Sequence, residues 1–286
     1  MKRYCVLLLL FSYYTHLYAQ KVTCKLQDKK LDEISGLGCS KKNPNILWMH
    51  NDSGDGSYVF GINDSTGKLV ATLNYSREVR DCEDMAMDYK DNSIYIGDIG
   101  DNNAKRKYIA IYKMSEPALS YKEKKQQIAV NASALYLKYP DGPRDAETLM
   151  IDPVEKLLYI VSKREDSVSV YTAPLNYKSN DTITLKRMCR LHFNGFGFSK
   201  WITAGDISAD GTQILLKNYT NVYYWKRKNH EPVWQTMQRK PVELPYTMEK
   251  QGEAICFTLN GMGYFTTSEG KAQPVYYYEA PKQSAQ

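Results

Sequence analysis

Five stretches of the chain share one rhythm: a short apolar run, a polar turn, then a second apolar run. They are ISGLGCSKKNPNILWMHND from Ile34, EDMAMDYKDNSIYIGD from Glu83, ETLMIDPVEKLLYIVSK from Glu147, GDISADGTQILLKNY from Gly205 and EAICFTLNGMGYFTTSE from Glu253. Apolar runs this short, bounded by turn residues, predict strands rather than helices. The turns carry Asn-Pro-Asn, Asp-Asn, Asp-Pro, Asp-Gly and Asn-Gly, which tolerate the backbone angles of a tight hairpin. A Tyr-rich alternating stretch follows most of the hairpins: YVFGIN at Tyr58, YIAIYKM at Tyr108, VSVYTA at Val168, NVYYWK at Asn221 and VYYYE at Val275. Period-two alternation makes each a third strand.

Aligned at positions 35, 83, 147, 205 and 253, the repeats are 48, 64, 58 and 48 residues apart. A period of about 40 to 50 residues with loop insertions marks propeller blades. A fourth, outer strand fits GKLVATLNY, ASALYLKY, TLKRMCRLHF and PVELPYT in the first four blades. The fifth has none before the chain ends, and KVTCKLQ, residues 21–27, is expected to supply it and close the ring, removing an open edge. The expected architecture is therefore an all-β, five-bladed propeller over residues 20–286. A sixth, degenerate blade and an irregular β-sandwich are the competing arrangements. The Lys-rich stretch at 119–127 reads as a solvated loop or outer edge.

Composition changes the picture at the N-terminus. Lys2 and Arg3 precede an apolar run, Val6 to Phe11, which is broken by Ser12, Thr15 and His16 and followed by Leu17-Tyr18-Ala19. This is the pattern of a secretion signal, residues 1–19, and it falls short of the roughly 20 apolar residues a membrane anchor needs. Without it the chain has 36 basic and 32 acidic side chains, with no basic tract to favour nucleic acid. Secretion gives weight to six Asn-x-Ser/Thr sequons, at Asn51, Asn63, Asn74, Asn131, Asn180 and Asn218. The five remaining cysteines, Cys24, Cys39, Cys82, Cys189 and Cys256, are odd in number, so at least one stays a thiol or pairs between molecules.

In a blade, the innermost strand begins on the face to which the second strand returns. Residues opening the repeats and residues ending the second strands are thus expected at one mouth. Pseudo-symmetry aims Glu83, Glu147 and Glu253 at the axis, and carboxylates that close cannot all ionise without protons or a cation. Ca²⁺, which takes six to eight oxygens at about 2.3 to 2.6 Å, suits such a set. Ser35 supplies a further oxygen, and in the fourth repeat Gly205, or its neighbour Asp206, must serve. The competing reading is that these acids bond backbone N–H groups and register the ring. Zinc is disfavoured because only three scattered histidines, His50, His192 and His230, follow the expected signal.

RDCEDMA (80–86), GDIGDN (97–102) and PRDAETLM (143–150) resemble a group of secreted propellers with D-W-E-D and G-D-I-G-D-N signatures; Cys82 stands where that group has Trp. The chain more weakly resembles the calcium-activated apyrases, five-bladed secreted propellers that hydrolyse nucleoside di- and triphosphates around an axial Ca²⁺. That resemblance implies calcium ligands in the order Ser, Glu, Glu, Ser, Glu, matched here by Ser35, Glu83, Glu147 and Glu253 but not by Gly205. The apyrase D-D-R-T-G segment is only half retained at Asn51-Asp52-Ser53-Gly54, and its lysine-rich run is absent.

Two functions follow. In the first, a metal-assisted phosphoester hydrolase, Asp52, Asp98 or Asp101 is the general base, while Lys163, Arg164 and Lys217 hold phosphate charge beside Tyr219 and Glu269 at the mouth. In the second, the same mouth, or the Tyr-rich sides, binds extracellular carbohydrate or protein without catalysis. Serine catalysis lacks a G-x-S-x-G motif, and carboxylates beside Cys82 argue for a buried thiol rather than a nucleophile.

Overall fold

The computed structural model describes residues 20–52, 54–120 and 125–281. The expected signal, residues 1–19, and residues 121–124 of the Lys-rich stretch lie outside the described residues. Among the described residues no helix is long and apolar enough to cross a membrane.

In chain order the strands are β1 (Gln20–Lys25), then β2 (Ile34–Cys39), β3 (Ile46–Asn51), β4 (Tyr58–Asn63) and β5 (Leu69–Asn74) of the first blade. The second blade holds β6 (Cys82–Asp88), β7 (Ser93–Asp98) and β8 (Ile109–Ser115), followed by β9 (Gln126–Ala129) and β10 (Ala132–Lys138). The third holds β11 (Ala146–Asp152), β12 (Leu157–Ser162) and β13 (Ser167–Pro174); β14 (Asp181–Thr184) and β15 (Lys186–His192) come next. The fourth holds β16 (Ile202–Ile207), β17 (Gln213–Asn218), β18 (Val222–Lys226) and β19 (Val242–Leu244), with a one-turn helix, α1 (Val233–Met237), before β19. The fifth holds β20 (Gly252–Phe257), β21 (Gly263–Ser268) and β22 (Pro274–Glu279).

These strands form five sheets, one per blade, and the protein is a five-bladed β-propeller. The inner strands β2, β6, β11, β16 and β20 contact one another in a closed cycle. The ring closes as the sequence predicts: β1 pairs antiparallel with β22 as the outer strand of the fifth blade, and Leu26 just beyond it is buried. Two outer strands were not legible in the hydrophobic rhythm. β9, from the end of the Lys-rich stretch, adds parallel to β5, and β14 adds parallel to β10, so each of the first two sheets has five strands.

Apolar side chains fill the wedges between blades. Trp48, Leu73 and Ile96 pack between the first and second, and Tyr95, Leu149 and Ile160 between the second and third. Tyr159, Ile214 and Trp225 fill the next wedge, Leu215, Phe257 and Tyr264 the one after, and Leu37, Leu47 and Phe265 close the cycle. At about 1.5 to 3 kcal/mol per fully buried large side chain, these wedges hold the blades in a ring. All five cysteines within the described residues are buried thiols, and the Sγ atoms of Cys39 and Cys256 meet at 3.8 Å between the first and fifth blades.

Candidate functional site

Each inner strand carries a bulge one residue after its start. In the pairings of β2 with β3, β6 with β7, β11 with β12, β16 with β17 and β20 with β21, the register skips one residue: Ser35, Glu83, Glu147, Thr203 and Glu253 respectively. A bulge re-aims the side chain of its extra residue, and such irregularities cluster at barrel rims and sites. The equivalence expected from sequence therefore holds for four blades. In the fourth it shifts by two: the counterpart of Glu83 is Thr203, so Asp206 lies three positions beyond the bulge, at the register of Ala86 in the second blade. Asp206 accepts the N–H groups of Ile207 and Phe257, both at 2.8 Å, and burial pushes its carboxyl up to about 7. The hydroxyls at the two non-acidic bulges face a neighbouring inner strand. Ser35 Oγ donates to the carbonyl of Glu83, and Thr203 Oγ1 to that of Gly252 at 3.3 Å.

The second strands end at the same face, so the mouth gathers residues from all five blades. Lys163, just past β12, projects its ammonium into the glutamate set. It donates to Glu147 Oε1, lies 3.9 Å from Glu253 Oε1, and interacts electrostatically with Glu83. The lysine expected to hold a substrate phosphate is instead paired with the acids expected to need a metal. Tyr219 donates its hydroxyl to Glu253, and Phe198 packs edge-on against Tyr219 with ring centroids 6.1 Å apart. Glu269 accepts from Gln251 Nε2 at 2.7 Å, and burial together with its bond to Glu253 pushes it up to about 9.

A second group of acids sits toward the first two blades. Oxygens of Asp52, Asp81 and Glu83 all lie within 4.8 Å of one another. Burial, then the charges of Asp52 and Asp81, hold Glu83 well above the usual carboxylate range. The GDIGDN turn presses against these oxygens: a Cβ on Gly100 would fall 2.2 Å from Glu83 Oε1 and 2.5 Å from Asp81 Oδ2. Asp81 was not among the expected ligands. Its signal was its place two residues before Glu83, beside the turn that faces it. A set of three carboxylates supplies only hard oxygen donors, which fits a cation of the Ca²⁺ kind.

The other expected residues have defined partners. Asp98 accepts Arg106 Nη1 at 2.7 Å and the N–H of Asp81 at 3.1 Å. Asp101 accepts the backbone N–H groups of Lys105 and Arg106, at 2.9 and 2.7 Å, and is buried. Arg164 pairs with Asp145 and lies over the Trp201 ring, 4.6 Å from its centroid. Lys217 is fully buried below the mouth, donating to the carbonyls of Asn218 and Gly252 over the Tyr246 ring. His50 is buried and burial lowers its pKa, so it favours the neutral imidazole. Burial pushes the Cys82 thiol far up, with its Sγ 3.9 Å from the Tyr75 hydroxyl, which makes it inert.

One feature of the mouth that the hydrophobic pattern does not announce is aromatic. Between β15 and β16, Phe196 and Phe198 are 94% and 60% exposed, and Trp201 lies against Lys163 and Arg164. Single Phe residues in a loop give no periodic signal. No protein-family model matches the chain, and no curated protein matches it.

Proposed function

We propose that this is a secreted, calcium-binding propeller that acts on a phosphoester at its acidic mouth. The observation that carries the reading is the convergence of Asp52, Asp81 and Glu83, whose oxygens lie within 4.8 Å of one another. With Glu83 held above the ordinary range, that group must keep a proton or take a cation. Asp52, Asp81 and Glu83 would hold Ca²⁺, which supplies charge that draws in an anionic substrate and polarises a phosphoryl oxygen.

The chain's own groups divide the remaining work. Asp98 and Asp101 are buried and engaged by Arg106 and backbone amides, and Asp52, which is not buried, would serve the cation rather than act as the base. Glu269, pushed up to about 9, carries a proton at neutral pH and would be the group that gives it to a leaving group. Arg164, one-third exposed, is the cation at the rim that an incoming anion meets.

A second reading, non-catalytic binding of carbohydrate or protein, is favoured by the exposed Phe196 and Phe198 beside the mouth. Phosphate release from a panel of nucleotides and phosphoesters, with and without chelator, separates the two. Calcium-dependent release that is lost in Glu83→Gln is the expected result. Release that persists under complete chelation overturns the metal reading, and a calcium-bound protein inert to the whole panel supports the binding module.

A further inference from the structure

The six sequons are not equivalent in the folded chain. Asn51 and Asn218 are buried, and their amide nitrogens are committed. Asn51 Nδ2 donates to the Lys30 carbonyl at 2.6 Å and to Asp55 Oδ2 at 2.8 Å. Asn218 Nδ2 donates to the Ser199 carbonyl at 2.6 Å and to the Tyr223 hydroxyl at 3.1 Å. A glycan on either nitrogen would have to be accommodated in packed protein.

Asn63 and Asn74 are half-buried and locally bonded. Asn63 Oδ1 accepts from Ser65, from the Thr66 N–H and from the Thr66 hydroxyl, at 2.8 to 2.9 Å. Asn74 ends β5, which is flanked by β4 on one side and β9 on the other, and its Oδ1 accepts the N–H of Ser76 at 2.9 Å.

Asn131 and Asn180 are exposed, and they share one corner of the molecule. Asn131 immediately precedes β10, whose first residue, Ala132, pairs with Met114 near the end of β8 remote from the mouth. Asn180 immediately precedes β14, the edge strand of the same sheet, and its N–H bonds the Ala134 carbonyl at 2.7 Å. A shallow hollow whose lining includes Lys113, Met114, Asn131, Ser133 and Ser179 reaches from Asn131 to the residue before Asn180.

We infer that Asn131 and Asn180 are the N-glycosylation sites of this protein and that the other four sequons stay unmodified; the inference rests on the reading that the chain is secreted. At each site Nδ2 loses a proton and bonds the anomeric carbon of an oligosaccharide carried by a polyprenyl diphosphate, which departs as the leaving group. Both glycans stand beside the short parallel edge of the second blade, at the end away from the mouth. They shield an edge that would otherwise offer unpaired backbone groups to another chain, and they leave the acidic mouth clear.

The test is expression of the full chain in a eukaryotic secretory host, with intact mass measured before and after enzymatic removal of N-glycans. A second arm places residues 20–286 behind an established secretion leader. The expected result in both arms is two glycans, one lost in Asn131→Gln, one lost in Asn180→Gln, and none left in the double variant. Ser133→Ala and Thr182→Ala, which disable each sequon while keeping its Asn, must give the same losses. An unglycosylated product in the second arm, a glycan on Asn51 or Asn218, or a glycan surviving in the double variant overturns the inference. Glycosylation in the second arm with no export in the first overturns the secretion reading alone.

Discussion

The carboxylate of Asp84, in β6, accepts the backbone N–H of Leu149, in β11, at 2.9 Å, tying the inner strand of the second blade to that of the third. Asp206 repeats the bond from the fourth blade to the fifth, through Phe257 at 2.8 Å. Each acid also accepts the N–H of the residue after it, Met85 or Ile207. Burial pushes both carboxyls up, against the pull of these donors, so the acids hold the ring in register at an electrostatic cost. The reading of ring acids as bonds between blades thus describes Asp84 and Asp206, one and three positions beyond the bulge residues Glu83 and Thr203.

Asp84→Ala is expected to lower unfolding stability by about 2 to 6 kcal/mol, because two buried N–H groups lose their acceptor at about 1 to 3 kcal/mol each. Urea denaturation measures it. A loss below about 0.5 kcal/mol, the scatter of ordinary surface substitutions, would show that the bond does not register the blades.

Lys217 sets a pH dependence. Burial lowers it to about 8 in the fold from an ordinary value of 10.5. Between those values the unfolded chain binds a proton that the folded chain does not, so this group's contribution to stability rises with pH from about 8 to 10.5 and is flat below. Keeping the buried ammonium charged costs about 3 kcal/mol at neutral pH. Lys217→Met should remove that slope. Denaturant curves at pH 7.5 and pH 10 should show wild type gaining on the variant as pH rises; an unchanged difference would contradict the assignment.

Lys163 and a divalent cation should be partly interchangeable as counter-charges. Removing one partner of a buried ion pair costs about 3 to 5 kcal/mol. Lys163→Met is expected to lose that much in chelator, since among the described residues Glu147 then keeps no counter-charge within contact, and to recover part of it in millimolar Ca²⁺. Thermal unfolding with and without chelator reads both effects. Equal stability of variant and wild type in chelator would remove Lys163 from its role.

The blade count, the hairpin positions and the closing N-terminal strand were legible because the ring is built from repeats whose alternation and turn chemistry agree. Turn residues between Cys39 and Ile46, or between Asp88 and Ser93, announce the hairpins directly. Register at the axis was less legible. A bulge adds one residue without disturbing the apolar runs around it, so Gly205-Asp206-Ile207 looked like the repeat start when Thr203 holds that place. β14 is four residues long and pairs in parallel with a strand more than forty residues earlier, a contact that local alternation does not encode. The grouping of Asp52 with Asp81 and Glu83 depends on how the first blade abuts the second, which is tertiary information. Lys163 was visible as a charge at a strand end, but its target was not.

The backbone at Gly100 offers the sharpest separation of cation binding from folding. Its φ is not in the left-handed region, so alanine fits the chain conformation. The obstacle is the side chain, whose Cβ would stand 2.2 Å from Glu83 Oε1 and 2.5 Å from Asp81 Oδ2. Both atoms end flexible side chains and can move aside, which protects the fold but disperses the three carboxylates. Gly100→Ala is therefore expected to lose at most about 1 to 3 kcal/mol of stability, the range for inserting an extra methyl into packed surroundings. Calcium affinity by titration calorimetry should fall at least tenfold, about 1.4 kcal/mol of binding free energy. Glu83→Gln supplies the comparison, since it removes a ligand charge without adding bulk. If Gly100→Ala binds calcium as wild type does while Glu83→Gln does not, the cation is held by Glu83 away from Asp81. If neither change alters affinity, the cation does not bind at these carboxylates.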